Sequence, residues 1–146
     1  AYPERAAIAL AGIQSGGAWL AQRLAADLEV PFGTINVSLH RDDFAQKGLP
    51  AAQSPTKIPF DVEQYTVIVV DDVLSTGRTV RAAVNELFDY GRVAAVELAV
   101  LADRGGRELP IAPRFCGGEL AVSDDTVLVL SQQPDGRFVL TTEERA

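Results

Sequence analysis

The stretch Val67-Ile68-Val69-Val70-Asp71-Asp72-Val73-Leu74-Ser75-Thr76-Gly77-Arg78-Thr79-Val80-Arg81-Ala82-Ala83-Val84 sets the fold class. It opens on β-branched apolar residues, Val67 to Val70, a run too short for a helix and apolar on both faces, as a buried parallel strand requires. It closes as a helix: Val80, Ala83, Val84, Leu87 and Phe88 recur at the three-and-four spacing of one face, and Gly91 follows as a stop. Two adjacent carboxylates and the run Ser75-Thr76-Gly77-Arg78-Thr79 lie between strand and helix.

A loop leaving the carboxyl end of a parallel strand and entering a helix presents unpaired backbone N–H groups at the positive end of the helix dipole, and such a place binds phosphate. Gly77 lets the backbone curl close to an anion, and the hydroxyls of Ser75, Thr76 and Thr79 add uncharged donors. Asp71 and Asp72 would repel a phosphate but suit vicinal hydroxyls. A ribose 5-phosphate satisfies both halves. The Gly-Lys-Ser/Thr ending of a P-loop and the G-x-G-x-x-G dinucleotide turn are both absent.

Val69 to Arg81 resembles the phosphoribosyl-pyrophosphate motif of the type I phosphoribosyltransferases. The wording is similar to the branch of bifunctional pyrimidine-operon regulators with uracil phosphoribosyltransferase activity. Three further stretches agree with that branch in order: Ser38-Leu39-His40-Arg41-Asp42-Asp43-Phe44, Ile58-Pro59-Phe60-Asp61, and Leu98 to Ile111, which contains Ala102-Asp103-Arg104-Gly105-Gly106-Arg107. The likeness runs from about Ile8 to about Gly117. It implies an α/β fold with a central, mostly parallel sheet flanked by helices, a flexible lid and a C-terminal β-hairpin.

Toward the N-terminus, Ala6 to Ala11 is a short buried strand that runs into Gly12-Ile13-Gln14-Ser15-Gly16-Gly17. A helix follows, with Leu20, Leu24 and Leu28 on one face and Ala21 and Ala25 beside them. Strand, glycine-rich turn and helix again gather N–H groups around an anion. By the resemblance, Gln14, Ser15, Gly16 and Gly17 form the pyrophosphate loop, with Gly16 where many relatives carry arginine. Pro31-Phe32-Gly33 reads as a turn into an edge strand, Thr34 to His40. His40 reads as solvated or structural. Ala45 to Lys57 has no periodicity and is the expected lid, whose closure would keep water from an electrophilic sugar carbon.

Val93 to Leu101 is a third apolar strand, so strand-helix-strand units and a parallel sheet are expected, with the ligand loops at one edge. The resemblance implies catalytic roles for Asp71, Asp72, Arg41 and Asp103. It puts Ala102, Asp103, Arg104 and Arg107 beside the base and the leaving group, with Asp103 holding Mg²⁺ through water and Arg107 facing the pyrophosphate. Ser75 to Thr79 would hold the 5-phosphate. Thr126 to Leu140 reads as a hairpin turning at Pro134-Asp135-Gly136, which would extend the sheet or cover the base site, and Thr141 to Ala146 as a frayed polar tail.

The 146 residues suffice for one domain with a real core. Thirteen Lys and Arg against 20 Asp and Glu give a net charge of −7, a poor start for a general nucleic-acid binder. There is no membrane-length apolar run or signal segment, and the single Cys116 suits a reducing, cytoplasmic setting. Cys116 itself reads as a small residue packed near a turn. With no methionine and only Ala1 to Arg5 ahead of the first strand, the family's N-terminal helical segment is expected to be missing from this stretch of chain.

The expected partners are phosphoribosyl pyrophosphate, uracil and UMP, with a homo-oligomer implied by the relatives. RNA is a further partner of the family's regulatory members, disfavoured here by the net charge and by Gly106, where many relatives have histidine. Three functions stay open: uracil phosphoribosyltransfer, RNA-binding attenuation in response to UMP, and non-catalytic nucleotide sensing. The acceptor base is not legible in the side chains.

Overall fold

The computed structural model describes residues 7–37 and 55–144. Arg41, His40, the rest of the stretch from Ser38 to Phe44 and most of the expected lid lie outside the described residues. A five-stranded sheet forms the centre, built from β1 (Ile8–Ile13), β2 (Phe32–Ile35), β3 (Thr66–Leu74), β4 (Ala95–Asp103) and β5 (Phe115–Glu119), in the order β2-β1-β3-β4-β5. Every neighbouring pair is parallel. Helix α1 (Gly16–Leu28) follows β1, and α2 (Arg78–Phe88) follows β3.

The middle strand carries apolar side chains on both faces, and each face builds a core. Val67 and Val69 pack with Val80, Ala83 and Leu87 of α2 and with Ile13, Ile35, Val62, Leu98 and Val100. Ile68 and Val70 point the other way, with Leu10 and with Ala21 and Ala25 of α1. Burial on both faces is why the run reads as continuous rather than alternating.

Several boundaries differ from the sequence reading. β3 continues four residues past Val70, so Asp71 and Asp72 lie on the strand itself, with Asp71 opposite Val100 of β4. β2 begins at Phe32, inside the expected turn. β5 was not anticipated: Phe-Cys-Gly-Gly-Glu has neither a two-residue alternation nor an apolar run, and it forms because β4 offers an open edge. Cys116 therefore lies exposed on a strand rather than packed at a turn. Thr141 to Glu144, expected to fray, pairs with Thr126 to Val129 in the hairpin β6 (Thr126–Gln132) and β7 (Phe138–Glu144), which forms a sheet of its own.

The buried face of α1 is also corrected. Gly17, Ala21 and Ala25 face the sheet, while Leu24 and Leu28 are 40% and 55% exposed. Small residues win this face because the helix axis must lie close to the strands. Leu20 and Leu24 instead wall an apolar groove of about 710 Å³ with Leu101, Phe115 and Phe138.

The strand order reverses direction between β1 and β3, since β2 lies to one side and β4 to the other. In open parallel sheets such a switch leaves a crevice at the carboxyl ends of the strands, where ligands bind. Here the crevice is bounded by the β1–α1 and β3–α2 loops. Leu87 is fully buried in the α2-side core, so Leu87→Ala should cost about 2–5 kcal/mol, whereas Leu28→Ala on the open side of α1 should stay within about 0.5 kcal/mol. Urea unfolding of both variants checks this; equal losses would mean that the buried face of α1 is wrongly assigned.

Candidate active site

Close backbone contact brings the two loops of the crevice together. A Cβ on Gly17 would stand 2.2 Å from the Val70 carbonyl oxygen, and one on Gly12 would stand 2.4 Å from the Gly17 carbonyl oxygen. Only glycine permits this approach. Gly16 then faces the second carboxylate of the acidic pair, where a Cβ would lie 2.4 Å from Asp72 Oδ2. The Gln14–Ser15 peptide is cis, and the Gln14 side chain donates to Thr34 Oγ1 at 3.3 Å on β2.

Both carboxylates are oriented by the chain that follows them. Asp72 N–H donates to Asp71 Oδ1, and Val73 N–H donates to Asp72 Oδ1, each at 2.8 Å. Asp71 is 7% exposed, and Asp72 is half-buried at the mouth of the crevice. Beyond them Gly77 caps α2 with φ of +94°, a conformation that favours glycine, and the first turn of α2 carries no acidic residue. Asp71, Ser75, Thr76, Gly77 and Thr79 line a small concavity of about 80 Å³ at this helix start. Its size and its position over a helix N-terminus suit a phosphate group.

The backbone of the concavity is held from behind by the loop between β4 and β5. Leu74 O accepts from Arg104 N–H at 3.0 Å, Ser75 O from Arg107 Nη1 at 2.9 Å, and Thr76 O from Glu108 and Leu109 N–H at 3.0 and 3.1 Å. Because the C=O and N–H of a trans peptide point in opposite directions, this leaves the N–H groups of Ser75, Thr76 and Gly77 turned away from the β4–β5 loop. The side chains are less free than the sequence suggests. The Ser75 hydroxyl donates to Gly105 O at 3.0 Å, and Thr76 Oγ1 accepts from Arg78 N–H at 3.1 Å. Arg78 Nε donates to Glu108 Oε1 at 2.7 Å, drawing that side chain toward the β4–β5 loop.

Asp103 ends β4, with Ala102 buried just before it. Arg107 grips its carboxylate with two bonds, Nη1 to Oδ1 at 2.9 Å and Nη2 to Oδ2 at 2.7 Å, and Gly105 N–H adds a third to Oδ1 at 3.0 Å. Those contacts hold the Asp103 carboxyl below the ordinary carboxylate range, the Arg107 hydrogen bond being the main cause, and the same bond raises the Arg107 guanidinium. The guanidinium bonds to Asp103, to Ser75 O and, through Nε at 2.8 Å, to Ile111 O. Arg104 donates to Ser123 O at 2.8 Å. Gly105 and Gly106 take φ of +76° and +82°, so the tight reversal after Asp103 favours glycine at both.

The part played by Glu108, Leu109 and Ile111 as a backing wall was missed in the sequence. The pairing of Arg78 with Glu108 spans 30 residues and has no local signal. The 710 Å³ groove lies on the α1 face of the sheet, lined mostly by apolar side chains, and is separate from the phosphate-sized concavity.

Two outcomes follow from this geometry. Gly16→Arg should disturb the Asp72 carboxylate, because even its Cβ has no room there, and nuclear magnetic resonance shifts of Asp72 and Val73 amides would register it. The Asp103 carboxyl is depressed in the folded state, so its stabilisation is present above about pH 4 and is lost as pH falls through the folded value. Unfolding free energy between pH 2 and 6, about the range over which a depressed carboxylate titrates, should therefore fall more steeply with acid in the parent protein than in Asp103→Asn.

Comparisons with known proteins bear on the family and the fold. The family described as the phosphoribosyl transferase domain matches residues 4–119. Over 140 residues, covering 93% of this chain and 80% of the relative, the chain is 59% identical to the Bifunctional protein PyrR of Ralstonia nicotianae. It is 51% identical to the protein of the same name from Pseudomonas entomophila, over 77% of this chain and 66% of that one. Among solved structures, a hypoxanthine-guanine phosphoribosyltransferase from Bacillus anthracis superposes with a TM-score of 0.63 at 19% identity, covering 81% of this chain and 70% of that one. A hypoxanthine phosphoribosyltransferase from Staphylococcus aureus superposes with a TM-score of 0.59 at 19% identity, covering 82% of this chain, which spans 65% of that structure. These structural likenesses carry the fold, and the sequence likenesses carry the family: the chain belongs to the type I phosphoribosyltransferases, in the bifunctional PyrR branch.

Proposed function

We propose that the protein transfers the phosphoribosyl group of phosphoribosyl pyrophosphate to N1 of uracil, giving UMP and pyrophosphate. One observation carries this reading: a phosphate-sized concavity lined by Ser75, Thr76 and Gly77 at a helix start adjoins Asp71 and Asp72, two carboxylates fixed by their own backbone. Few ligands besides a sugar phosphate offer an anion and a diol at that spacing. Uracil, rather than another base, rests on the family likeness of the sequence.

In this reading the N–H groups of the concavity and the Thr79 hydroxyl hold the 5-phosphate, while Asp71 and Asp72 hold the ribose hydroxyls. As the bond from the anomeric carbon to the pyrophosphate oxygen breaks, the ring gains positive charge and the leaving group takes the electron pair. The two carboxylates stabilise the ring, and the Gln14 to Gly17 loop receives the pyrophosphate through backbone donors. Uracil N1 then bonds to the anomeric carbon and gives up its proton to the departing pyrophosphate. No side chain need act as a nucleophile. Arg41 keeps the catalytic role that the family likeness assigns to it.

Mg²⁺ suits this donor set in the manner usual for that ion, which keeps several waters and uses one or two carboxylates together with substrate phosphates. Among the described residues no group of three or more His, Cys, Asp or Glu is gathered as a cage. Asp103 is the carboxylate that would hold the hydrated ion, and when bound the ion would neutralise charge on the pyrophosphate. The Asp103 oxygens already engaged by Arg107 leave that residue an outer contact through water.

The RNA-binding alternative draws less support. It would rest on a thin basic patch of Arg104, Arg107 and Arg114, and two of these are ion-paired, Arg107 with Asp103 and Arg114 with Glu97. No helix among the described residues is long and apolar enough to cross a membrane, and a cytoplasmic setting is proposed with the function.

Pyrophosphate release from phosphoribosyl pyrophosphate and Mg²⁺, with uracil, orotate, hypoxanthine and guanine in parallel, tests the reading. Turnover with uracil is expected; turnover with another base would correct the substrate, and UMP binding without turnover would favour a sensor. Asp72→Asn should lower kcat/KM by about one to two orders of magnitude, the equivalent of one lost hydrogen bond to a charged group. Unchanged kinetics would remove Asp72 from the site.

A further inference from the structure

We infer that Arg107 is a positioning residue for the 5-phosphate loop, acting through the Ser75 carbonyl rather than on the leaving group. The inference rests on the phosphoribosyl reading of the site and deepens it. Three consecutive carbonyls, those of Leu74, Ser75 and Thr76, are tied back to the β4–β5 loop, and their four donors are Arg104 N–H, Arg107 Nη1, Glu108 N–H and Leu109 N–H. Arg107 alone gives from a side chain. The orientation of the peptide between Ser75 and Thr76, and hence of the Thr76 N–H, depends on one guanidinium.

That guanidinium is itself seated on three sides. The two bonds to Asp103 lock its plane to the end of β4, and Nε to Ile111 O locks it to the far side of the β4–β5 loop. The pair is half-buried, with side chains 27% and 13% exposed for Arg107 and Asp103. A planar fork with donors in fixed directions can meet a carboxylate and two carbonyls at once. A lysine would keep the charge and lose the geometry. The pairing also couples the strand end beside the proposed base site to the loop beneath the phosphate, so the two halves of the substrate would be registered by one side chain.

The two roles for Arg107 separate by ligand. A group that faces the leaving group acts on pyrophosphate, whereas a group that shapes the Ser75 to Gly77 backbone acts on ribose 5-phosphate, which has no pyrophosphate. Calorimetric titration of the parent protein, Arg107→Lys and Arg107→Gln with ribose 5-phosphate and, separately, with inorganic pyrophosphate and Mg²⁺ tests this. Both variants should lose about tenfold or more in ribose 5-phosphate affinity, with pyrophosphate affinity changed by less than about twofold. Lysine should rescue nothing. Ribose 5-phosphate binding that stays intact while pyrophosphate binding falls, or full rescue by lysine, would overturn the proposal.

Thermal melting of each variant accompanies the titrations. If the Arg107 variants do not fold, Asp103→Asn, which keeps the arginine but loosens its seat, should still weaken ribose 5-phosphate binding in the same direction; unaltered binding there would equally overturn the proposal. A parent protein that binds neither ligand would instead bring down the phosphoribosyl reading itself.

Discussion

The backbone of Gly17 lies against the carbonyl of Val70 with no space for a side chain, and the rest of the site depends on that contact. It sets the start of α1 directly on the end of β3. The β1–α1 turn therefore meets the acidic pair, and Gly16 leaves the space that the Asp72 carboxylate borders. A side chain at Gly17 would push the helix outward and separate the two loops. The same closeness explains why α1 offers Ala21 and Ala25 to the sheet and leaves its leucines outside.

Charge is handled by pairing within a small space. Asp71 and Asp72 are adjacent carboxylates at the end of the most buried strand, which would be costly without donors, and each accepts a backbone N–H. Asp103 lies at the end of the neighbouring strand and is held mainly by a cation, with one further bond from Gly105 N–H. The three carboxylates thus share one sheet edge with different support. The first two are oriented by the backbone and lie beside the concavity, while the third is joined to a side chain that reaches the Ser75 carbonyl. The net charge of −7 belongs to the whole chain and says little about this edge, where cations, carbonyls and carboxylates are matched locally.

The order of residues along the chain reveals the elements that carry the site. A β-branched run, an acidic pair, a hydroxyl-rich loop with Gly77, and an amphipathic helix each report local geometry, so the succession of elements from Val67 to Phe88 is legible in the residues alone. Gly12, Gly16 and Gly17 announce a tight turn for the same reason. Where that reading slips, a neighbour has decided. β3 runs on through Asp71 and Asp72 because β4 continues beside it, and β5 forms on an open edge without a pattern of its own. Thr141 to Glu144, polar enough to suggest a frayed end, is held by the backbone of β6.

Residue order thus determines the local succession of strand, acidic pair, hydroxyl-rich loop and helix, because periodicity and turn chemistry act over a few residues. It also carries the family, through four motifs in order. Tertiary packing decides that β1 and β3 are neighbours, which face of α1 is buried, and that Arg107 turns to Asp103, Ser75 and Ile111. Those outcomes depend on contacts between residues far apart in the chain, such as Ser75 and Arg107 at 32 positions, and an arginine's reach is compatible with many partners until packing leaves it one set.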